Sequence, residues 1–383
     1  MKHRNPLGSV PPLRRALAAA ALGLAACSSP LPEPEAAPAD AGDFSGSLAW
    51  TELQELAEAP RPLGSDGAAS ARDVITKRLA ASGIAVGTLS TTAESKGFGP
   101  LALTHLIAVL PGASADRIVL VAPYDSGSYD GFSFVGANDG ASGAALLLEV
   151  ARVLAGRSLP YTVELVWLEG EGRLGHGTGD ERELRWLGSR GLAERWSETG
   201  HLSGIRLLVS FNRVCDADLH VARDSGSHRE FRESFWKAAH RLGLGDAFSA
   251  DRRYESVASS HVAFRERGVR QVVAIEDTAF GGDDAPGRYA GKEDVIEHCS
   301  RESLAAVGRV AVEAVGSISA QLAKIDRFAR MPSAQPEPSK PKSEAPLEPE
   351  GESAAPAPGG EKAAEASDPG SANPVAPDAA GSL

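Results

Sequence analysis

The sequence predicts an α/β fold, a single domain with a mostly parallel mixed β-sheet that is flanked by helices on both faces. Two observations predict this fold. Apolar runs of strand length alternate along the chain with segments whose apolar residues have helical spacing. The run at 118–121 is apolar at every position, which is typical of a parallel strand that is covered on both faces.

The first half of this block begins with two helices, at 48–59 and 68–82, and the second of them has Val74, Ile75 and Leu79 on one side. Two strands and an Ala/Leu-rich helix follow, at 101–110, 117–122 and 143–154. The second half continues the alternation. Its elements are a strand at 161–168, a short helix at 192–196, strands at 205–211 and 218–222, an amphipathic helix at 228–242, a strand at 271–275 and a long closing helix at 302–322.

The beginning of the chain is predicted to be an export signal. Lys2, Arg4 and other basic residues precede an apolar run at 16–26, which is too short to span a bilayer. The run ends in Leu24-Ala25-Ala26-Cys27, which resembles the lipobox of bacterial lipoproteins. The resemblance implies cleavage after residue 26 and a lipid anchor on Cys27, which would place the protein in the cell envelope, on an outer membrane or at the periplasmic side. The alternative is an ordinary secretory signal that happens to contain a cysteine.

Composition predicts four segments along the chain. Residues 1–26 are the signal peptide, and residues 27–45 form a flexible spacer rich in Pro, Ala and Glu. Residues 46–330 form the folded domain. Residues 331–383 contain almost no large apolar side chains, so we expect them to be a disordered tail rich in Pro, Ala and Glu.

The net charge limits which partners the protein can bind, and the cysteine content limits which disulfide bonds it can form. The formal net charge is −12, which argues against nucleic acid as a partner because phosphate binding needs a basic surface. Besides Cys27 the chain contains Cys215 and Cys299. Export permits a disulfide between them, but two buried thiols are an equally good interpretation of the sequence.

Polar residues follow several predicted strands at the point where each strand ends. The segments are 122–125, 136–143, 169–172, 211–213, 259–261 and 288–291. Because ligands of parallel sheets bind beyond the carboxyl ends of the strands, we expect these segments to lie around one site. Any one of them alone would be an ordinary surface turn. Acidic groups from several strand ends together indicate a metal site or a general acid/base site.

In this order the segments resemble those of exported zinc aminopeptidases and the related glutaminyl cyclases. The most specific part is the stretch at 134–143, Phe-Val-Gly-Ala-Asn-Asp-Gly-Ala-Ser-Gly, which leads into a helix. The stretches at 61–65, 187–190 and 260–264 support it, and the first of them favours the cyclase branch. The resemblance covers about residues 59–320 and implies the fold of those enzymes.

The resemblance also shows how far the site departs from the family. Asp139 stands where the family has an Asp that binds the metal, and Glu171 stands where it has the general base. The family has four other metal-ligand positions. In this sequence they are occupied by residues that cannot take over the ligand's role, namely Pro123, Gly172, Asn212 and Ala290. Cyclases need only the Asp, the Glu and the last His of this set, and two of these three are missing.

These losses predict that no metal cofactor is bound. A catalytic zinc needs three protein ligands, and three of the substituted positions carry no side-chain donor. Asp125, Trp186 and His261 are expected to line the remaining pocket, with packing as the alternative role for Trp186. Zinc would still bind if other donors converged, and the candidates for that are His176, Asp180, Glu169 and His261.

We therefore expect a membrane-anchored lipoprotein whose aminopeptidase/cyclase-like domain is catalytically inactive and binds peptides or proteins. The alternative is an active zinc metallopeptidase or glutaminyl-peptide cyclotransferase with a rearranged metal site. A third interpretation is a structural envelope protein whose spacer and tail carry its interactions. A fold shared with enzymes does not by itself establish activity.

Overall fold

A computed structural model describes residues 43–95, 97–175, 185–248, 254–281, 287 and 291–329. The predicted signal peptide with Cys27, most of the spacer, the tail, Ala290, His176 and Asp180 lie outside these residues. All of the described residues belong to one compact unit.

The described residues form eight strands and seven α-helices. In sequence they are α1 (Gly46–Leu56), α2 (Asp66–Ala81), β1 (Val86–Ser95), β2 (Gly99–Leu110), β3 (Ser114–Pro123), α3 (Gly143–Ala155), β4 (Tyr161–Leu168), α4 (Leu187–Glu198), β5 (Ile205–Asn212), β6 (Arg223–Asp224), α5 (Arg229–Arg241), β7 (Tyr254–Glu255), α6 (His261–Glu266), β8 (Val272–Glu276) and α7 (Arg301–Ala329).

The central sheet has six strands in the order β1-β2-β4-β3-β5-β8. Strand β3 pairs in parallel with β4 and β5, and β5 pairs in parallel with β8. The pairs β1–β2 and β2–β4 are antiparallel, so the sheet is mixed. Three of the five strand pairings are parallel, which confirms the predicted mostly parallel sheet.

Side chains of the central strands point alternately into two apolar cores, one on each face of the sheet. Ile118 and Leu120 of β3 point into a large apolar cluster with helices α1, α2, α3, α5 and α7. Val119 and Val121 of the same strand point to the other face, where they pack with α4 and α6. Because successive side chains of a strand alternate between faces, a continuous apolar run is required where both faces are covered.

Helix α7 is the one helix among the described residues that is long and apolar enough to cross a membrane. However, 67% of its most apolar stretch is buried inside the domain. Its apolar residues, such as Leu304, Val307 and Ile318, belong to the large core cluster. The helix therefore serves the fold as a core element.

The prediction of a strand at 218–222 is wrong. In the structure this segment is irregular, and Val221 makes only an isolated bridge to Asp277. Carboxylates accept two of its backbone N–H groups, since the N–H of Asp218 donates to Asp216 Oδ1 at 3.0 Å and that of His220 donates to Asp277 Oδ2 at 3.1 Å. Backbone donors that are satisfied by side chains in this way do not form a ladder with a neighbouring strand.

Candidate functional site

A cavity of about 380 Å³ lies at the carboxyl ends of the parallel strands. Pro123 ends β3, Asn212 ends β5 and Glu276 ends β8, and Glu171 follows β4. The full lining is Pro123, Asp139, Glu171, Arg185, Trp186, Asn212, Arg213, Ser256, Val257, Ala258, Ser259, Ser260, Glu276 and Thr278. The structure therefore brings together residues from five of the six predicted strand-end segments, as expected for a sheet of this type.

Asp139 is placed by a sharp turn ahead of α3. Gly140 adopts φ 109°, and a Cβ atom there would lie 2.1 Å from the carbonyl oxygen of Asp125, so only glycine fits. The backbone N–H groups of Asn138 and Asp139 donate to the two oxygens of the buried Asp294, at 2.6 and 2.9 Å. Burial, together with the negative charge of Asp139, raises the pKa of Asp294 to about 7.

The carboxylate of Asp139 has a hydrogen-bond donor at one oxygen and a guanidinium near the other. Asn212 donates its side-chain N–H to Asp139 Oδ1 at 2.8 Å, and Arg185 Nη1 lies 3.8 Å from Oδ2. Asn212 Oδ1 accepts from the N–H of Gly140 at 3.0 Å. Both ends of the Asn212 amide thus have partners, and these partners fix which end is the nitrogen.

Glu171 is buried, and both of its oxygens accept hydrogen bonds. Ser189 donates its backbone N–H to Oε1 and Ser260 donates its hydroxyl to Oε2, each at 2.5 Å. Burial raises the pKa of Glu171 because removal from water disfavours the charged form. The side chain remains part of the cavity wall.

Asp125 lies behind this wall instead of lining the cavity. Its two oxygens accept the backbone N–H groups of Glu171 and Gly172, each at 3.1 Å. Burial raises the pKa of Asp125 to about 8, and the nearby charge of Glu171 adds to the effect. Asp125 therefore holds the loop that presents Glu171.

His261 was also expected to line the pocket, yet its side chain is fully buried and does not reach the cavity. Its Nε2 lies 3.3 Å from Oδ2 of Asp224, which is itself buried. The contact with His261 helps to keep the pKa of Asp224 below its usual range despite burial. The first turn of α6 directs the imidazole inward, and the preceding residue, Ser260, faces the cavity instead.

Two arginines in the lining were not predicted from the sequence as site residues. Arg213, next to Asn212, forms an ion pair with Glu276, and its Nε donates to Glu276 Oε1 at 2.6 Å. Arg185 donates to the hydroxyl of Tyr129 at 2.7 Å and lies near Asp139, as described above. The only sequence signal for Arg213 was its position directly after a predicted strand, and Arg185 had none.

The described residues do not fit a divalent metal at this place. Pro123 and Gly172 offer no side-chain donor, and the polar atoms of Asn212 are used by Gly140 and Asp139. A guanidinium beside Asp139 would repel a cation there. Within the ranges given above, no group of three or more His, Cys, Asp or Glu side chains is arranged to hold a metal ion. Glu169, a candidate replacement, is instead paired with Arg72 at 2.8 Å.

A second, steric obstacle to a metal ligand lies at Gly172. A Cβ atom at this position would lie 2.6 Å from the carbonyl carbon of Ser126 and 2.7 Å from the nitrogen of Gly127. Real Cβ atoms do not approach backbone atoms so closely. The backbone here therefore has no room for the glutamate that the family resemblance places at this position.

Cys215 and Cys299 form a disulfide with their Cα atoms 4.7 Å apart. The sequence had left this pairing open. The bond joins the segment that follows β5 to the segment that precedes α7. It lies two residues beyond Arg213 and thus fixes the chain that leaves the cavity wall.

Comparison with known proteins finds relatives of this chain by sequence and by fold. Residues 105–315 match the family model described as peptidase family M28. A glutaminyl-peptide cyclotransferase-like protein of Bos taurus is 30% identical over 206 residues, which are 47% of this chain and 53% of the relative. The aminopeptidase YwaD of Bacillus subtilis is 30% identical over 205 residues, which are 52% of this chain and 40% of the relative.

The chain spans about half the length of these curated relatives. Among solved structures, the glutaminyl cyclase of an Acidobacteriales bacterium superposes with a TM-score of 0.66 at 28% identity, covering 75% of this chain and 99% of that one. The sequence resemblance, the mixed sheet and the site at its carboxyl edge therefore lead to one assignment. The chain belongs to peptidase family M28.

Proposed function

We propose that this M28 domain is a non-catalytic member of its family, which binds a peptide or a protein segment in the cavity at the carboxyl edge of the sheet. The observation that carries the proposal is the surroundings of Asp139. An amide N–H and a guanidinium face the oxygens of this carboxylate. Neither group is compatible with a metal ion bound at the same oxygens, because both carry positive charge or partial positive charge.

The remaining candidate base supports the same conclusion. Glu171 accepts a hydrogen bond at each oxygen, from Ser189 and from Ser260. A general base accelerates amide hydrolysis when an electrophile polarises the carbonyl and acidifies the attacking water, and in zinc peptidases the metal does both. The described residues offer no such electrophile next to Glu171, so Glu171 serves the cavity as a hydrogen-bonding wall.

The proposal extends to location. Lipid attachment at Cys27 would hold the domain at the cell envelope, with residues 28–45 as the spacer. The disulfide between Cys215 and Cys299 supports export, because structural disulfides are rare in reducing compartments.

The test is a zinc analysis combined with turnover assays on residues 28–383. We expect less than one-tenth of a zinc ion per chain, and no turnover of aminopeptidase or glutamine-cyclising substrates above background. Glu171→Gln and, as a matched control, Glu194→Gln at an exposed position of α4 are measured in parallel. One zinc per chain with turnover that is lost in Glu171→Gln and kept in Glu194→Gln would establish an active enzyme with a rearranged site, with His176 or Asp180 as candidate ligands.

A further inference from the structure

Two residues of the cavity wall have an unusual backbone conformation. Among the described residues, Trp186 with φ 57° and Arg213 with φ 49° are the only ones other than glycine with positive φ. Both line the cavity. A left-handed backbone is unfavourable by about 1–2 kcal/mol for a residue with a side chain, and such residues concentrate at functional sites. The fold therefore maintains an unfavourable backbone conformation at two positions of the cavity wall.

Specific hydrogen bonds hold both residues in this conformation. The backbone N–H of Trp186 donates to the carbonyl of Glu171 at 3.3 Å. The N–H of Arg213 donates to the carbonyl of Asn138 at 3.2 Å, and its own carbonyl accepts from Asp277 at 3.0 Å. The strain therefore presents an indole and a guanidinium to the cavity from backbone that is tied to the sheet edge.

The guanidinium of Arg213 is only partly used. Nε and Nη2 both contact the same oxygen of Glu276, whose side chain is 2% exposed. Nη1 has no hydrogen-bond partner among the described residues, and 30% of the Arg213 side chain remains exposed. A buried carboxylate thus holds the guanidinium on one edge and leaves the other edge for a ligand.

The other charged groups of the wall have partners. Asp139 faces Asn212 and Arg185, and both oxygens of Glu171 are hydrogen-bonded. Glu276 Oε2 is fully buried, so it does not reach a ligand. The charged group that this wall offers to a ligand is therefore a cationic N–H donor, beside the apolar surfaces of Trp186 and Pro123.

We propose that the cavity recognises a carboxylate, which binds to the free edge of Arg213, while Trp186 contacts the apolar part of the same ligand residue. Arginine suits this role because charge-assisted N–H···O⁻ bonds are about twice as strong as neutral ones. The carboxylate is that of a peptide C-terminus or of an acidic side chain. This inference rests on the proposed non-catalytic function, since it requires a ligand that stays bound.

The test is calorimetric titration of residues 28–383 with matched dipeptides. The probes are Ala-Phe, Ala-Phe amide, N-acetyl-Ala-Phe and Ala-Glu amide. We expect Ala-Phe to bind at least tenfold more tightly than its amide, and N-acetylation to change affinity less than threefold. Ala-Glu amide separates the two sources of carboxylate, because tight binding of this probe would identify an acidic side chain as the group recognised.

Variants connect this preference to the residues. Arg213→Lys keeps the charge beside Glu276 but removes the planar fork, so the preference for a carboxylate should fall below threefold. Arg195→Lys, at an exposed position of α4, should keep it. Trp186→Leu should weaken Ala-Phe binding at least threefold. If Arg213→Lys fails to fold, the comparison of acid and amide in the unmodified protein decides.

Two outcomes would overturn the inference. One is equal affinity for Ala-Phe and its amide without tight binding of Ala-Glu amide, and the other is no binding of any probe at millimolar concentration. In either case the zinc and turnover results above would stand by themselves. Hydrolysis of Ala-Phe to free amino acids would contradict the proposed function instead, whatever the affinities are.

Discussion

At the scale of single residues, Arg61 stabilises the backbone segments that carry the site. This arginine is buried and donates to four main-chain carbonyls, those of Leu56, Ala59, Tyr124 and Gly136, at 2.5 to 3.1 Å. Burial lowers its pKa to about 10, so it remains charged at neutral pH. It connects the end of α1, the segment after β3 and the turn that carries Asp139.

Arg61→Met should destabilise the protein strongly. The substitution leaves three buried carbonyls and the partly buried carbonyl of Ala59 without their donor, and we expect a loss of about 3–5 kcal/mol in the free energy of unfolding. The control is Arg78→Met on α2, where the arginine is 41% exposed and pairs with Glu52 and Glu55. There the loss should stay within about 1 kcal/mol. Urea denaturation measures both, and equal losses would show that the buried contacts of Arg61 are not important.

Buried carboxyl groups make stability depend on pH. Burial raises the pKa of Asp125 to about 8 and the pKa values of Asp277 and Asp294 to about 7, above the unfolded value of 3.8. Their contribution is complete below the unfolded pKa and is lost as pH rises through 7 to 8. Burial lowers the pKa of His105 from 6.5 to about 4, which acts in the opposite direction but only below about pH 6.5.

Between pH 6.5 and 8 the free energy of unfolding should therefore fall, by on the order of 1 kcal/mol per pH unit. Denaturant titrations at closely spaced pH values measure this slope. Stability that is constant or increases over this interval would mean that the three carboxyl groups are already ionised in the folded protein.

Some of the site follows from sequence and some does not. Asp139 and Glu171 were predicted because they follow strands and match a known pattern, and the structure places both on the cavity wall. Arg213 was missed because its role depends on a positive φ and on Glu276, a partner 63 residues away. His261 matches the family pattern, but its ring turns into the core towards Asp224. Such orientations depend on packing that no local pattern records.

At the scale of elements, the loop after β4 contains one of the departures from the family pattern, Gly172. At Gly172 the chain passes so close to Ser126 and Gly127 that a side chain would meet their backbone. Asp125 fixes this approach, because it accepts the N–H groups of Glu171 and Gly172. The loop and the segment after β3 thus form one packed unit.

Gly172→Ala should destabilise this unit by about 1–3 kcal/mol, since the added methyl group forces backbone apart. Gly175→Ala in the same loop is the matched control, because a Cβ atom there would lie 3.4 Å from the Ser128 hydroxyl, an ordinary contact. Its effect should stay within about 0.5 kcal/mol. Thermal and urea unfolding measure both. If Gly172→Ala is as stable as Gly175→Ala, the loop has room for the missing ligand after all.

The periodic spacing of apolar residues in the sequence predicted most of the helices and strands, because these elements bury apolar faces. Helices α2 and α5 and strands β3 and β4 bury one face or both, so their apolar spacing is strong. Strand β1 was missed because residues 86–95 are rich in Ser and Thr and are only partly buried at the sheet edge. Pairing with β2, and not hydrophobic pattern, determines that strand.

At the scale of the whole molecule, the predicted anchor and the long helix α7 are two separate candidates for membrane attachment. The buried apolar face of α7 argues that it belongs to the core. Cys27→Ser should therefore release the whole protein from the membrane fraction. Cell fractionation, together with metabolic labelling by a fatty acid, measures this. A variant that is no longer labelled and yet still sediments with membranes would show that another segment attaches the protein.

The disulfide between Cys215 and Cys299 also bears on when the cavity is completed during biogenesis. The two cysteines are 84 residues apart, so the second leaves the ribosome well after the first. If the chain is exported, oxidation follows translocation, and until then hydrogen bonds and core packing restrain the segment after Arg213 without a covalent link. Newly synthesised protein in a reducing cytosol would thus lack the covalent restraint on the chain that leaves the cavity wall.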